Sequence, residues 1–198
     1  MTYSEIEQIF RHEASAILAI PIGDSYEKAI NILYKQVHVR KGKLITSGMG
    51  KAGQIAMTIA SKFSSTGTPA LFLHPSEAQH GDLGVMQEND VLLLVSNSGK
   101  TRELIELVQL TRQLHTAISL IVITGNTDSP LAKEANVVLF TGAPAEVCPL
   151  GLTPTTSISV MSVISDALAI GVMKKTGFTS SDYNKRHQGG YLGQITSP

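Results

Sequence analysis

Five short runs of apolar residues recur through the middle of the chain, and they constrain its fold more than any other feature. Each run is continuous rather than alternating, which is typical of strands buried on both faces. The runs cover residues 44–45, 70–73, 91–95, 120–123 and 137–140, and stretches with helical spacing lie between them, near residues 51–65, 101–115 and 129–135. This alternation predicts an α/β fold, a doubly wound three-layer sandwich around a five-stranded parallel sheet.

The segments on either side of this pattern predict further helices. Two helices are predicted within residues 1–40, the first beginning at a capping box formed by Ser4 and Glu7. A long helix should follow Thr153 as its N-cap and end at Gly177, and the Gly-containing tail, residues 178–198, is predicted to be mostly irregular. Since no repeat or linker interrupts residues 1–198, we predict a single domain.

Composition excludes several classes of protein. The 198 residues include 16 basic and 16 acidic ones, with no basic run, so we predict no nucleic-acid partner. The N-terminus has no apolar run typical of a secretory signal, and the apolar stretch 160–173 is interrupted by polar residues, so we predict no membrane span. The single cysteine, Cys148, cannot form an internal disulfide and is predicted to be structural. A soluble cytoplasmic protein is the simplest interpretation.

In parallel sheets, ligands bind beyond the carboxyl ends of the strands, so the loops there are candidate sites. The first loop matches G-x-G-x-x-G over residues 48–53, but no acid follows the next strand as dinucleotide binding requires. We interpret Ser47 and Gly48 as substrate contacts through close backbone approach to an anion, with Lys51 as a nearby cation. A tight turn with a solvated lysine is equally compatible with this sequence.

The loop over residues 96–101 carries the strongest signal. Hydroxyls on Ser96, Ser98 and Thr101, together with Asn97 and Gly99, precede an amphipathic helix. Hydroxyls and free N–H groups at the start of a helix suit a phosphate dianion, and three hydroxyls exceed what an ordinary N-cap needs. The P-loop motif is absent, which disfavours nucleotide hydrolysis.

Candidate proton-transfer groups lie in three other loops. His80 lies in a loop with a second histidine and two acids, whose spacing is no recognised zinc pattern, so we predict no metal site. Glu146 follows the last strand and could move a proton in a pocket or be a solvated surface acid. His187 precedes the Gly-rich tail, where a solvated histidine is the simpler interpretation.

Taken together, these segments resemble the sugar isomerase (SIS) domain family and, within it, the arabinose-5-phosphate isomerases. The resemblance covers nearly the whole chain, and the stretch 74–84 narrows it to this subfamily. The chain departs from the family pattern at Ala52, where a serine is usual, at Lys100, where an acid is frequent, and after His187, where a proline is usual. The matching segments are residues 48–51, 74–84, 96–103, 146–149, 154–157 and 187–193.

The resemblance implies an SIS-domain fold and interconversion of D-ribulose 5-phosphate and D-arabinose 5-phosphate, which supplies Kdo synthesis for lipopolysaccharide or capsule. It further implies a homotetramer without an organic cofactor, in a form that lacks the tandem CBS modules of many members. Two alternatives stay open: a non-catalytic phosphosugar-binding sensor, and an isomerase of another phosphosugar.

Roles for the candidate residues follow from this resemblance and from the chemistry of enediol proton transfer. Glu146 is the expected base at carbon, and Lys51 the expected counter-charge. His187, reaching across a subunit interface, would assist ring opening or proton transfer at oxygen. His80 and Glu103 are candidates for the same relay. Thr155 completes the expected set of substrate contacts.

Overall fold

The computed structural model describes residues 1–189, and a five-stranded parallel sheet lies at its centre. The strand order is β2-β1-β3-β4-β5, and all neighbouring pairs are parallel. The strands are β1 (Leu44–Gly48), β2 (Ala70–Phe72), β3 (Val91–Val95), β4 (Ser119–Thr124) and β5 (Val137–Phe140). The predicted doubly wound α/β architecture is therefore confirmed.

Helices cover both faces of the sheet. On one face α1, α2, α3 and α7 enclose the larger core, and on the other α4, α5 and α6 enclose a smaller one. Strand β3 shows why its run is continuously apolar, since Leu93 faces the larger core while Leu92 and Leu94 face the smaller. The bounds are α1 (Tyr3–Leu18), α2 (Asp24–Leu33), α3 (Gly50–Ser65), α4 (Pro75–Ala78), α5 (Arg102–Leu114), α6 (Pro130–Glu134), α7 (Thr156–Thr176) and α8 (Ser180–Asn184), with a π-helical turn at Tyr34–Val39 and a 3-10 turn at Asp82–Val85.

The first helix begins earlier than the sequence pattern predicted. Its capping box is formed by Thr2 and Glu5, not by Ser4 and Glu7. An equivalent spacing of threonine and glutamate lies two residues upstream, and its use adds residues to the helix. Ser4 consequently lies inside the first turn.

The long helix α7 begins later than predicted, with Thr155 rather than Thr153 at the N-cap, and ends at Gly177 in a left-handed conformation, as expected. Helix α7 has 21 residues and a mean hydropathy of 1.6, so it is long and apolar enough to cross a membrane by length and composition alone, as the core helix of a folded domain can also be. Half of the apolar stretch of α7 is buried inside the fold, where the helix packs against α1, α2 and α3. It is the central helix of the larger core.

The chain after α7 contains one short helix that the prediction of a mostly irregular tail did not include. Helix α8 forms because Thr179 and Asp182 make a second capping box. Phe178 and Arg186 lie beside Gly67, in the loop that precedes β2, so this segment adjoins the amino edge of the sheet. Residues 190–198 of the predicted tail lie outside the described residues.

Candidate active site

The carboxyl ends of β1 and β3 meet at one point of the sheet edge. Gly48 pairs with Val95, the last residues of their strands. In the sheet, β2 lies beyond β1 on one side of this point, and β4 and β5 lie beyond β3 on the other. The loops that follow β1 and β3 therefore diverge and leave a crevice between them, which is where doubly wound sheets bind ligands.

A cavity of about 280 Å³ occupies this crevice, and the beginnings of three helices form its walls. Neither Met49, the N-cap of α3, nor Thr101, the N-cap of α5, makes a side-chain cap hydrogen bond, so first-turn N–H groups remain available. Helix N-termini carry partial positive charge, and their convergence favours an anion. The lining residues are Met49, Lys51, Ala52, Val95, Ser96, Asn97, Ser98, Thr101, Pro154, Ser157, Ile158 and Met161.

The hydroxyls of the loop over residues 96–101 divide into two kinds. Ser96 is buried, and its Oγ accepts a hydrogen bond from the Gly99 N–H at 3.1 Å and bonds Thr101 Oγ1 at 2.9 Å. Ser98 is exposed and accepts a bond from the Lys100 N–H at 3.2 Å. Ser96 thus shapes the loop, while Ser98 and Thr101 present hydroxyls to the cavity.

The loop is fixed from behind by the segment that follows β4. The Asn97 carbonyl accepts hydrogen bonds from the Gly125 N–H at 3.0 Å and Thr124 Oγ1 at 3.2 Å. Gly99 has a φ of 62°, and a Cβ there would lie 2.0 Å from Ser129 Oγ. Only glycine fits this position, so the geometry of the loop is set before any ligand binds.

Of the three residues predicted as ligand contacts near the loop after β1, namely Ser47, Gly48 and Lys51, only Lys51 lines the cavity. Lys51 lines it, is exposed, and takes part in none of the ion pairs within residues 1–189. Ser47 is fully buried, and its hydroxyl donates to the Leu73 carbonyl at 2.6 Å, so the expected contact with substrate is not available to this hydroxyl. At Gly48 a Cβ would lie 2.9 Å from the Ala52 carbonyl, so this glycine allows strand and helix to pack closely.

Glu146 caps the N-terminus of α7. Its Oε2 accepts hydrogen bonds from the Thr155 N–H at 2.7 Å, Thr155 Oγ1 at 2.9 Å and the Ser157 N–H at 3.3 Å. Burial by itself raises the pKa of the Glu146 carboxyl, but the nearby Ser157 hydroxyl and these donors together lower it below its ordinary value. Among the described residues nothing bonds Oε1, so one carboxylate oxygen is fixed and the other is free to accept a proton.

The connection between Glu146 and α7 explains the role of Thr155. Its Oγ1 also accepts a hydrogen bond from the Val147 N–H at 3.1 Å, so this hydroxyl positions the carboxylate, and Thr155, predicted as a substrate contact, does not line the cavity. In the same loop, Cys148 Sγ accepts bonds from the Leu152 and Thr153 N–H groups. Burial raises the pKa of the Cys148 thiol, but these backbone donors lower it overall.

Neither His80 nor Glu103 lines the cavity. His80 is exposed and follows α4, where the Gln79 side chain donates to Glu106 at 2.9 Å and so holds this loop against α5. Glu103 is half-buried in the first turn of α5. Within residues 1–189, no three His, Cys, Asp or Glu side chains cluster in a metal-binding arrangement.

His187 lies apart from the other candidates within one chain. Its ring stacks on Tyr183 at a centroid distance of 3.7 Å, and Nδ1 lies 3.0 Å from the Tyr183 carbonyl oxygen. This segment adjoins Gly67 at the amino edge of the sheet, whereas Glu146 and the cavity lie at the carboxyl edge. One chain therefore does not bring His187 to Glu146.

The structure also adds a residue that pattern reasoning did not select. Ser157 lines the cavity, is 1% exposed, and donates its N–H to Glu146. Ser157 lies in the segment 154–157 that matches the family pattern, and this is the sequence signal by which it could have been predicted. Ser157 lines the cavity and Thr155 does not, and this difference depends on how the start of α7 packs, which no periodic pattern in the sequence encodes.

Comparison with known proteins places this architecture among recognised relatives. Residues 38–171 match the family model described as the SIS domain. Arabinose 5-phosphate isomerase KdsD of Pseudomonas aeruginosa is 46% identical over 173 residues, which are 87% of this chain and 51% of the relative. KdsD of Escherichia coli strain K12 is 46% identical over 154 residues, 78% of this chain and 46% of the relative. The chain thus spans about half the length of these curated relatives.

Solved structures of other proteins share this fold. A candidate phosphosugar isomerase involved in capsule formation from Bacteroides fragilis is 62% identical, with a TM-score of 0.94 and coverage of 95% of this chain and 98% of that one. A protein of Escherichia coli CFT073 in complex with arabinose 5-phosphate is 31% identical, with a TM-score of 0.74 and coverage of 94% and 100%.

Proposed function

Because this chain belongs to the SIS domain family, we propose that it is an aldose–ketose isomerase that interconverts D-ribulose 5-phosphate and D-arabinose 5-phosphate. The observation that carries this proposal is the pairing of an anion cradle, at the starts of α3 and α5, with a fixed carboxylate, Glu146, at the start of α7. The KdsD relatives and the neighbour with bound arabinose 5-phosphate support the choice of sugar.

The cradle would hold the phosphate of the substrate. Ser98 and Thr101 offer hydroxyls, the first turns of α3 and α5 offer N–H groups, and Lys51 offers a positive charge without an ion-pair partner among the described residues. Binding a phosphate remote from the reacting carbons orients them, an effect worth roughly several kcal/mol of the barrier. Asn97 would contribute through the shape of the loop rather than through new contacts.

Glu146 would move the proton between the two carbons. Its free Oε1 takes the proton from C2 of the aldose, or from C1 of the ketose, and returns it to the other carbon of the enediolate. The lowered pKa keeps this carboxylate ionised at neutral pH. A base so placed contributes on the order of 10² to 10⁴ in rate. Lys51 would balance the negative charge of the enediolate.

The remaining proton transfers would involve groups outside the cavity wall. His80, which follows α4, and Glu103, in the first turn of α5, are proposed to relay protons at oxygen. His187 is proposed to enter the site of a neighbouring copy in a homotetramer, because within its own chain it lies at the opposite edge of the sheet.

The product of this reaction would supply Kdo synthesis in the cytoplasm. The Bacteroides fragilis neighbour, described as involved in capsule formation, favours capsule over lipopolysaccharide as its destination. We propose no organic cofactor and no metal for the chemistry itself.

A panel of aldose and ketose phosphates tests the proposal. The purified chain should convert ribulose 5-phosphate to arabinose 5-phosphate, as followed by NMR, and should convert other pairs far more slowly. Binding of arabinose 5-phosphate without turnover would indicate the sensor alternative. Faster conversion of another pair would replace the proposed substrate.

A further inference from the structure

The Ser157 hydroxyl is buried beside Glu146, and its hydrogen-bonding capacity is not used with normal geometry among residues 1–189. The residue is 1% exposed, and its Oγ makes no hydrogen bond of normal geometry with any described residue. Leaving a buried hydroxyl unpaired is unfavourable, and native proteins do so rarely. A group outside the described residues is therefore expected to pair with it.

The position of Ser157 indicates what that partner is. Ser157 lines the cavity from the first turn of α7, a different wall from the one that carries Ser98 and Thr101. Thr156, its neighbour, has an equally buried and unpaired hydroxyl but does not line the cavity. Of these two orphaned hydroxyls, only the one on Ser157 can meet a molecule bound in the cavity.

Ser157 also lies next to the proposed base. Its N–H donates to Glu146 Oε2 at 3.3 Å, so the hydroxyl and the carboxylate share one end of the site. A substrate whose phosphate lies against Ser98 and Thr101 would extend its reacting carbons toward this end. The oxygens on those carbons would then lie near the Ser157 hydroxyl.

We propose that Ser157 Oγ–H donates a hydrogen bond to the substrate oxygen at C1 or C2 on which negative charge develops in the enediolate. This inference rests on the proposed isomerase function. The serine keeps its proton throughout, while Glu146 takes the proton from carbon and returns it to the neighbouring carbon. A donor aimed at developing charge stabilises the transition state more than the ground state.

Paired variants test this role. Ser157→Ala should lower kcat by about 10²-fold with a small change in KM, because the lost donor acts on the transition state. Its thermal midpoint should be unchanged or higher, since the orphaned hydroxyl is removed. Thr156→Val is the matched control: it removes the other buried, unpaired hydroxyl and should leave kcat unchanged.

Ligand binding separates this role from others. Ser157→Ala should weaken binding of 5-phospho-D-arabinonohydroxamate, a stable mimic of the enediolate, at least ~10-fold, and leave inorganic phosphate binding unchanged. Unchanged kcat in Ser157→Ala, or an equal loss in Thr156→Val, would overturn the proposal. So would a variant whose only defect is a shifted pH profile, because the hydroxyl would then merely tune Glu146.

The wild-type chain shows which proposal has failed. If it converts no phosphosugar, the isomerase function fails and the binding measurements alone decide the role of Ser157. Selective weakening of the hydroxamate in Ser157→Ala would still support a substrate contact. Equal binding by the variant and the wild type would overturn it.

Discussion

Replacement of Gly99, in the candidate phosphate loop, should lower the free energy of unfolding by an amount that follows from the contacts around it. In Gly99→Ala, the new Cβ would lie 2.0 Å from Ser129 Oγ, 2.5 Å from Ser129 Cβ and 3.1 Å from Thr124 Oγ1. Forcing an L-residue into the left-handed region at φ 62° costs about 1–2 kcal/mol. Overpacking costs about 1–3 kcal/mol more, so the free energy of unfolding should fall by roughly 2–5 kcal/mol.

Gly177→Ala provides the matched control. Gly177 has a φ of 65°, nearly that of Gly99, but a Cβ there would meet nothing within 4 Å. Its replacement should therefore cost only the backbone term, about 1–2 kcal/mol. Urea denaturation of both variants, followed by circular dichroism, measures the difference directly.

The two variants should also differ in ligand binding. In Gly99→Ala the loop must move away from Ser129, which displaces Ser98 and Thr101 from the cavity wall. Calorimetric titration should then show inorganic phosphate bound at least ~10-fold more weakly, whereas Gly177→Ala should bind it as the wild type does. Equal urea midpoints for the two variants, with unchanged phosphate binding, would show that the close packing behind Gly99 does not control the loop.

Four further predictions concern charge and the cap of α7. Thr155→Val removes a donor that lowers the pKa of Glu146, so the acidic limb of the kcat/KM profile should move to higher pH; an unmoved limb would contradict this. Because the folded state lowers the pKa of Glu146, the stability that this carboxylate contributes is present at neutral pH and is lost on acidification. The urea midpoint of Glu146→Gln should therefore depend less on pH, between neutral and acidic buffers, than the midpoint of the wild type. Asp90 is buried and pairs with the partly exposed Lys43 at 2.7 Å, and it also accepts the N–H groups of Lys43 and Gln87, so Asp90→Ala should lower the free energy of unfolding in urea by about 3 kcal/mol. Lys51→Met should weaken phosphate binding about 10-fold at low salt and by less at high salt, as titrations at two ionic strengths would show.

Continuous apolar runs made the sheet predictable, because only strands buried on both faces need them. Residues 91–95 illustrate this, since their side chains alternate between two cores. The phosphate loop was predictable for a related reason: hydroxyls that follow such a strand must lie at the carboxyl edge of the sheet. Both features are local in sequence and need no knowledge of distant contacts.

The parts that sequence reasoning missed depend on contacts between segments. Ser47 was expected at the substrate, but its hydroxyl donates to the carbonyl of Leu73, just after the neighbouring strand β2. The start of α7 moved from Thr153 to Thr155 because Glu146, nine residues upstream of the N-cap, supplies the capping carboxylate. No spacing rule encodes either bond, since both are set only when the loops pack together.

Hydrogen exchange at carbon in Glu146→Gln is the most direct test of the central claim. The wild-type chain, incubated with arabinose 5-phosphate in D₂O, should incorporate deuterium at C1 of the ribulose 5-phosphate that it forms, and at C2 of the arabinose 5-phosphate regenerated by the reverse reaction. The variant keeps the phosphate loop and should bind inorganic phosphate as the wild type does, yet show neither exchange nor turnover. Exchange at the wild-type rate in this variant would remove Glu146 from the role of base.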